Sequence, residues 1–222
     1  MMSAELAARI NSILASLILL TAFGLLVQRR IYAMLNIFAW QGLFLSISTA
    51  LVGYVSHLQH LYVSAFLTLT LKVFVLPYIL YFLIVKLNIR REVEEIVNIP
   101  STMLIGILLV ILSYHVTAPI REMSVLMTRS TLAVALATVM LGMLVMIVRK
   151  KAVTQIIGFL AMENGLFFAA TSATYGMPMV VELGVALDIL IAAFIFGIFF
   201  FQIRTTFDSL DLGEMEKLKE HD

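Results

Sequence analysis

The sequence predicts an all-α membrane protein that crosses the bilayer seven times, and three observations carry that expectation. Of 222 residues, 62% are hydrophobic, against roughly 45–50% in an ordinary soluble domain. The mean hydropathy is +1.04. The apolar residues are also not dispersed: they fall in seven continuous stretches, each near the ~20 residues a helix needs to cross the hydrocarbon core. None shows the strict alternation of a barrel strand about ten residues long, and only a helix satisfies every backbone polar group of such a run internally. A soluble chain would need a polar skin, which 14 acidic and 15 basic residues cannot supply. The formal net charge of +1 argues against a nucleic-acid partner. With no cysteine, the chain offers no disulfide framework, no thiolate metal site and no iron–sulfur ligation.

The expected spans run about Leu6–Val27, Ile31–Val55, Leu61–Leu87, Ser101–Ala118, Val125–Val148, Val153–Thr174 and Met179–Ile203. The first is too long for a signal-peptide core, and Gln28-Arg29-Arg30 follow it rather than a small-residue cleavage site, so it is expected to persist as a helix. Basic residues orient the bundle. With the N-terminus outside and the C-terminus inside, the inner loops and tail hold Arg29, Arg30, Lys86, Arg90, Arg91, Arg149, Lys150, Lys151, Arg204, Lys217 and Lys219. The outer segments hold only Arg9, Arg121 and Arg129. That asymmetry favours N-out, C-in and an odd number of crossings. The segment Asn88–Pro100 reads as a cytoplasmic connector, with Pro100-Ser101-Thr102 as a helix start. Residues 1–204 thus form the transmembrane domain. Residues 205–222 form a charged cytoplasmic tail, either a solvated helix or a docking strip for a partner.

Two parts of the chain resemble each other. Gln28-Arg29-Arg30 precede Trp40-Gln41-Gly42-Leu43-Phe44, as Arg149-Lys150-Lys151 precede Glu163-Asn164-Gly165-Leu166-Phe167. Leu71-Lys72-Val73 lays on Leu187-Asp188-Ile189. Spans one to three would then correspond to spans five to seven. Four helices separate the copies, an even number, so the repeat is parallel rather than inverted.

The functional argument rests on charges inside the membrane. A charged group at mid-depth costs about 2.5–3.5 kcal/mol on insertion scales, which makes it a functional-site candidate by default. Lys72 lies near the middle of the third span, too deep to snorkel easily. Pro77 follows it and frees the Val73 carbonyl, so a kink there could give the ammonium an acceptor. Glu163 lies about midway along the sixth span and Asp188 in the seventh. Desolvation favours the uncharged form of an ionisable group and an opposite charge the ionised form, so groups held between the two can pass protons. Lys72, Glu163 and Asp188 are therefore the expected proton or ion relay, with Gln41, Asn164 and Glu182 as accessory polar residues. The competing expectations are a tie between helices and pairing at a subunit interface. His57 and His60 fall in the outer loop and His115 near the outer end of the fourth span, and they read as exposed histidines or surface proton shuttles. No spacing matches a metal-binding helix motif or a phosphate-binding glycine loop.

The stretch Gly158-Phe159-Leu160-Ala161-Met162-Glu163-Asn164-Gly165-Leu166-Phe167-Phe168 resembles hydrogenase-4 component E. So does Met177-Pro178-Met179-Val180-Val181-Glu182-Leu183-Gly184-Val185-Ala186-Leu187-Asp188. That family belongs to the membrane arm of group 4 nickel–iron hydrogenases, including formate hydrogenlyase-type complexes. The last three spans, about 125–204, are similar more distantly to the K subunit of respiratory complex I and the C subunit of multisubunit sodium/proton antiporters. In the complex I relative a glutamate precedes an asparagine by four residues, and a second glutamate lies on the next helix. Matched through Asn164, the first position here is Leu160, and matched through Gly197, the second is about Ala193. Glu163 lies about one turn after the first place and Asp188 more than one turn before the second, so an acidic pair carries over but its positions do not.

The resemblance implies a non-catalytic subunit without cofactors of its own, in the cell membrane, beside other membrane subunits that include antiporter-like chains. The nickel–iron centre and iron–sulfur clusters would lie in soluble partner chains, whose electron transfer would drive proton or sodium movement through the arm. The alternatives are a scaffold that only fastens the antiporter-like chains and a small stand-alone transporter.

Overall fold

The computed structural model describes residues 4–86, 96–123, 126–173 and four further helical positions, Gly184, Leu187, Leu190 and Ile191. The chain divides into two units, Met1–Ala186 and Leu187–Asp222. Of the second, only Leu187, Leu190 and Ile191 are described, all helical. The first comprises α1 (Ala4–Val27), α2 (Ile31–Ser56), α3 (Gln59–Thr68), a π-helical segment (Leu69–Val75), α4 (Leu76–Lys86), α5 (Ile99–Met123), α6 (Leu126–Val148) and α7 (Ala152–Ala173). There is no strand among the described residues. α3, the π segment and α4 form one continuous span, Gln59–Lys86, so the described residues contain six helices long and apolar enough to cross a membrane. Apart from Gly184, Leu187, Leu190 and Ile191, the expected seventh span, including Glu182 and Asp188, lies outside the described residues, as do the Asn88–Glu95 part of the connector and the tail.

Local sequence explains the breaks. α1 stops where Gln28, Arg29 and Arg30 interrupt the apolar run, and α2 starts at Ile31 from an extended Arg30. α2 ends at His57, which takes the left-handed conformation (φ 55°) while its N–H and that of Leu58 both turn back to the Gly53 carbonyl. Two backbone donors thus converge on one late carbonyl at a left-handed helix end. α5 runs past the expected end at Ala118 to Met123, with Pro119 in its last turns.

In lipid, apolar contact does not by itself favour helix association, so close backbone approach and polar ties carry more of the packing. α6 and α7 lie close enough that a Cβ on Gly142 would sit 2.7 Å from the Met162 Cα, and one on Gly165 would sit 2.8 Å from the Val139 nitrogen. Ile18 of α1, Leu45 of α2, Leu61 of α3, Ala135 of α6 and Phe168 of α7 meet in the core. α5 lies at the edge of this unit: Leu104, Leu108 and Ile111 are exposed, as residues facing acyl chains or a neighbouring protein would be.

One loop charge of the sequence reading is placed differently. Arg149, counted among the solvated basic residues, is fully buried. Its Nη2 donates to the carbonyls of Leu25 (3.1 Å) and Leu26 (2.6 Å) in the last turn of α1. Those carbonyls are among the four that a helix C-terminus cannot satisfy internally, and a cation there complements the helix dipole. The Gln155 side chain in turn donates to the Arg149 carbonyl, and the Ile96 N–H donates to the Val148 carbonyl. The ends of α1 and α6 and the approach to α5 are thus tied together at the face that also carries Arg29, Arg30, Lys150 and Lys151.

Candidate functional site

Lys72 sits at the centre of its span, with thirteen residues of Gln59–Lys86 before it and fourteen after. Glu163 is equally central in α7, with eleven residues before it and ten after. The fold brings these two together: the Lys72 Nζ lies 2.9 Å from the Glu163 Oε2, with side-chain exposures of 0% and 3%. The two side chains are thus buried together in apolar surroundings, where removing either one would leave the other without its counter-charge.

The neighbours complete a chain of polar groups. Lys72 Nζ donates to Asn164 Oδ1 at 2.8 Å, and Asn164 Nδ2 donates to Gln41 Oε1 at 3.1 Å. Gln41 Nε2 points at the Ile18 carbonyl, 3.5 Å away. The order of donors is dictated from one end. An ammonium has only donors, so Asn164 must turn its oxygen to Lys72 and its NH2 to Gln41; Gln41 must then offer its oxygen to Asn164 and its NH2 to α1. The lysine charge thereby fixes amide orientations on two other helices. The Phe167 ring, one turn along α7, lies with its centroid 5.5 Å from the ammonium and adds a cation–π contact.

Two features of the backbone put Lys72 there. The first is Gly42: a Cβ on it would come within 2.9 Å of the Lys72 Cβ, so α2 and the third span touch backbone to backbone beside the lysine. The second is the π segment. The Leu76 N–H donates to the Leu71 carbonyl, five residues back. In an uninterrupted α-helix the donor missing at Pro77 would face the Val73 carbonyl; in the π register it aligns with Lys72. The distances place two α7 side chains, Asn164 and Glu163, within reach of the ammonium. Single π turns within α-helices are frequent at functional sites.

Of the residues singled out in the sequence, Lys72, Glu163, Asn164 and Gln41 thus form one cluster across α2, the π segment and α7. Asp188 and Glu182 lie outside the described residues. His57 and His115 are exposed and His60 is partly so. No group of three or more histidine, cysteine or acidic residues converges as a metal site among the described residues. Sequence reasoning missed the buried bond from Ser48 Oγ to Asn11 Oδ1 (2.6 Å), which ties α2 to α1, and that from Ser46 Oγ to the Ala65 carbonyl (2.7 Å), which ties α2 to α3. It also passed over Ser64 and Thr68, both buried. Their spacing from Lys72, at four-residue steps, was the available signal.

What the chain is similar to agrees with this picture. An uncharacterised protein of Mycobacterium tuberculosis is 31% identical over 204 residues, covering 91% of this chain and 93% of that protein. Hydrogenase-4 component E of Escherichia coli is 30% identical over 158 residues, covering 70% of this chain and 71% of the relative, and that of Shigella flexneri matches to the same extent. No family model matches the chain, and no solved structure does. The identity and coverage place this helical membrane protein in a family: the chain belongs to the hydrogenase membrane subunits represented by hydrogenase-4 component E.

Proposed function

We propose that this protein is a non-catalytic membrane-arm subunit of a hydrogenase complex and that the Lys72–Glu163 pair is part of a proton relay. The observation that supports the reading is a buried ion pair at the middle of two transmembrane helices, linked through Asn164 to Gln41. In such a pair the charge on each group sets the field the other feels. A change of charge nearby, communicated from partner chains, then shifts a proton on or off the pair. The geometry favours a proton over sodium, because the ammonium already occupies the carboxylate that an alkali cation would need. Asp188, on the next span in the sequence, would continue the polar axis.

In this reading the electron-transfer centres belong to partner chains, the complex lies in the cell membrane with N-out, C-in orientation, and antiporter-like subunits flank the chain as in complex I. Residues 1–204 serve as the membrane domain and 205–222 as the cytoplasmic tail. The decisive experiment is Glu163→Gln in the assembled complex in sealed vesicles. Proton translocation per electron pair is expected to fall while hydrogenase activity persists in the presence of an uncoupler; unchanged translocation in an assembled complex refutes the relay.

A scaffold role is the second reading, favoured by the same cluster's tying α2, the third span and α7 together. It predicts that neutral substitutions impair assembly, and that any assembled variant translocates normally.

A further inference from the structure

Buried hydroxyl groups in this chain generally satisfy themselves on their own helix. Thr49 donates to the Leu45 carbonyl, Thr117 to Ser113, Thr138 to Val134 and Thr171 to Phe167, all four residues back. Ser46 and Ser48 donate to neighbouring helices instead, and three buried hydroxyls among the described residues, those of Ser56, Ser64 and Thr68, make no hydrogen bond. Ser56 is the last residue of α2, at the turn, and Ser64 and Thr68 lie on the third span between that turn at His57 and Lys72. Ser64 is 3% exposed and Thr68 is 0% exposed.

Their spacing gives them a common direction. His60, Ser64, Thr68 and Lys72 follow one another at four-residue steps in an otherwise apolar span. In an α-helix each step drifts by about 40° around the axis, so three steps would carry Lys72 about 120° from His60. The last step runs through the π segment, where a turn holds about one residue more and four residues rotate by roughly 40° less than a full turn. The drift reverses there, and Lys72 returns toward the line of Ser64. The π segment therefore aligns the lysine with two unpaired hydroxyls and with a partly exposed histidine at the hairpin face of the membrane.

We propose that Ser64 and Thr68 line a narrow water path that connects the Lys72–Glu163 pair to the membrane face bearing the α2–α3 turn. Buried polar groups without protein partners are the places where internal water is held, each water typically bonding to about three groups. The path stops at the ion pair. On the opposite side of Lys72 the span continues with Val73, Leu76, Ile79, Leu80 and Leu83, of which the last four are buried. Access is thus one-sided, as a relay that keeps protons from leaking across requires. This inference rests on the relay reading for its purpose, but its thiol-labelling test does not.

This chain has no cysteine, so a single introduced thiol is its sole labelling site when modification is read on this chain after its separation from the partners. Ser64→Cys and Thr68→Cys are placed in the full chain within its complex, and oriented vesicles are treated from each side with a small, charged methanethiosulfonate. Only a hydrated thiolate reacts, so modification is expected at least about tenfold faster than at Ala65→Cys, which faces α2, and only from the hairpin face. A thiol at lipid-facing Phe66 should stay unmodified. Rates at 64 and 68 no faster than at 65, or equal from both faces, overturn the proposal. If either thiol variant fails to assemble, Thr68→Val is used instead. It keeps the shape without the hydroxyl, and proton translocation is expected to drop severalfold, while an unchanged rate counts against the path. Modified thiols together with normal translocation by Glu163→Gln leave the path standing and remove the relay; unmodified thiols with blocked Glu163→Gln do the reverse.

Discussion

Removing one member of the Lys72–Glu163 pair leaves the other charge buried opposite a neutral group, and removing both does not. That asymmetry can be worked into numbers. Breaking a buried pair from one side costs about 3–5 kcal/mol, whereas replacing the whole pair by neutral groups of similar size is often close to neutral. For a chain of this length 1 kcal/mol corresponds to roughly 2–4 °C in unfolding temperature. Lys72→Met and Glu163→Gln are each expected to lower the unfolding midpoint of the detergent-solubilised protein by about 6–20 °C. In Lys72→Met, Asn164 Oδ1 also loses its donor, which adds about 1–3 kcal/mol if no other donor reaches it. The double variant Lys72→Met/Glu163→Gln should therefore recover most, but not all, of the loss. The assay is the fraction of protein remaining monodisperse after heating, for the parent, both single variants and the double. A double variant as unstable as the sum of the singles refutes the coupling, because independent sites add. The same double variant, once assembled, is expected to translocate no protons, which separates stability from function.

Other perturbations follow from the same geometry. Gly42→Ala places a methyl 2.9 Å from the Lys72 Cβ, so the third span must shift; overpacking of this kind costs about 1–3 kcal/mol and should lower both thermal stability and translocation. Arg149→Met removes the donors to two α1 carbonyls and is expected to cost about 2–4 kcal/mol in the same heating assay, with Arg149→Lys recovering part because its ammonium can still reach one carbonyl. Asn164→Leu deprives both Lys72 and Gln41 of a partner while leaving Glu163 in place. It should reduce translocation more than Gln41→Leu, which touches only the far end of the chain.

Much of this architecture was legible in the sequence, because length and uninterrupted apolarity determine spans in lipid almost without reference to tertiary contacts. Lys72 and Glu163 stood out for the same reason: the bilayer makes any mid-span charge conspicuous. Their pairing was not legible, since nothing local says which of several charged helices will be neighbours. Arg149 shows the converse error. By position it belongs to a loop, and only the end of α1, 123 residues earlier, explains its burial. The π segment was hidden too, because Leu-Thr-Leu-Lys-Val-Phe-Val reads as ordinary helix, and only Pro77 hinted that the register changes. Asn164 and Gln41 were found through their likeness of context, while their bond to each other depended on an orientation imposed by the lysine.

The separation of the ion pair along the chain has a consequence for biosynthesis. Lys72 is polymerised 91 residues before Glu163, so its span reaches the insertion machinery when its counter-ion has not yet been made. The third span must enter the bilayer carrying a solitary ammonium at mid-depth, against a cost of about 2.5–3.5 kcal/mol. Its leucines, valines, phenylalanines and isoleucines each return a few tenths of a kcal/mol, and their number is what carries the helix in. Thinning that apolar content, even at positions far from any relay, would therefore be felt first as a failure of the nascent chain to insert.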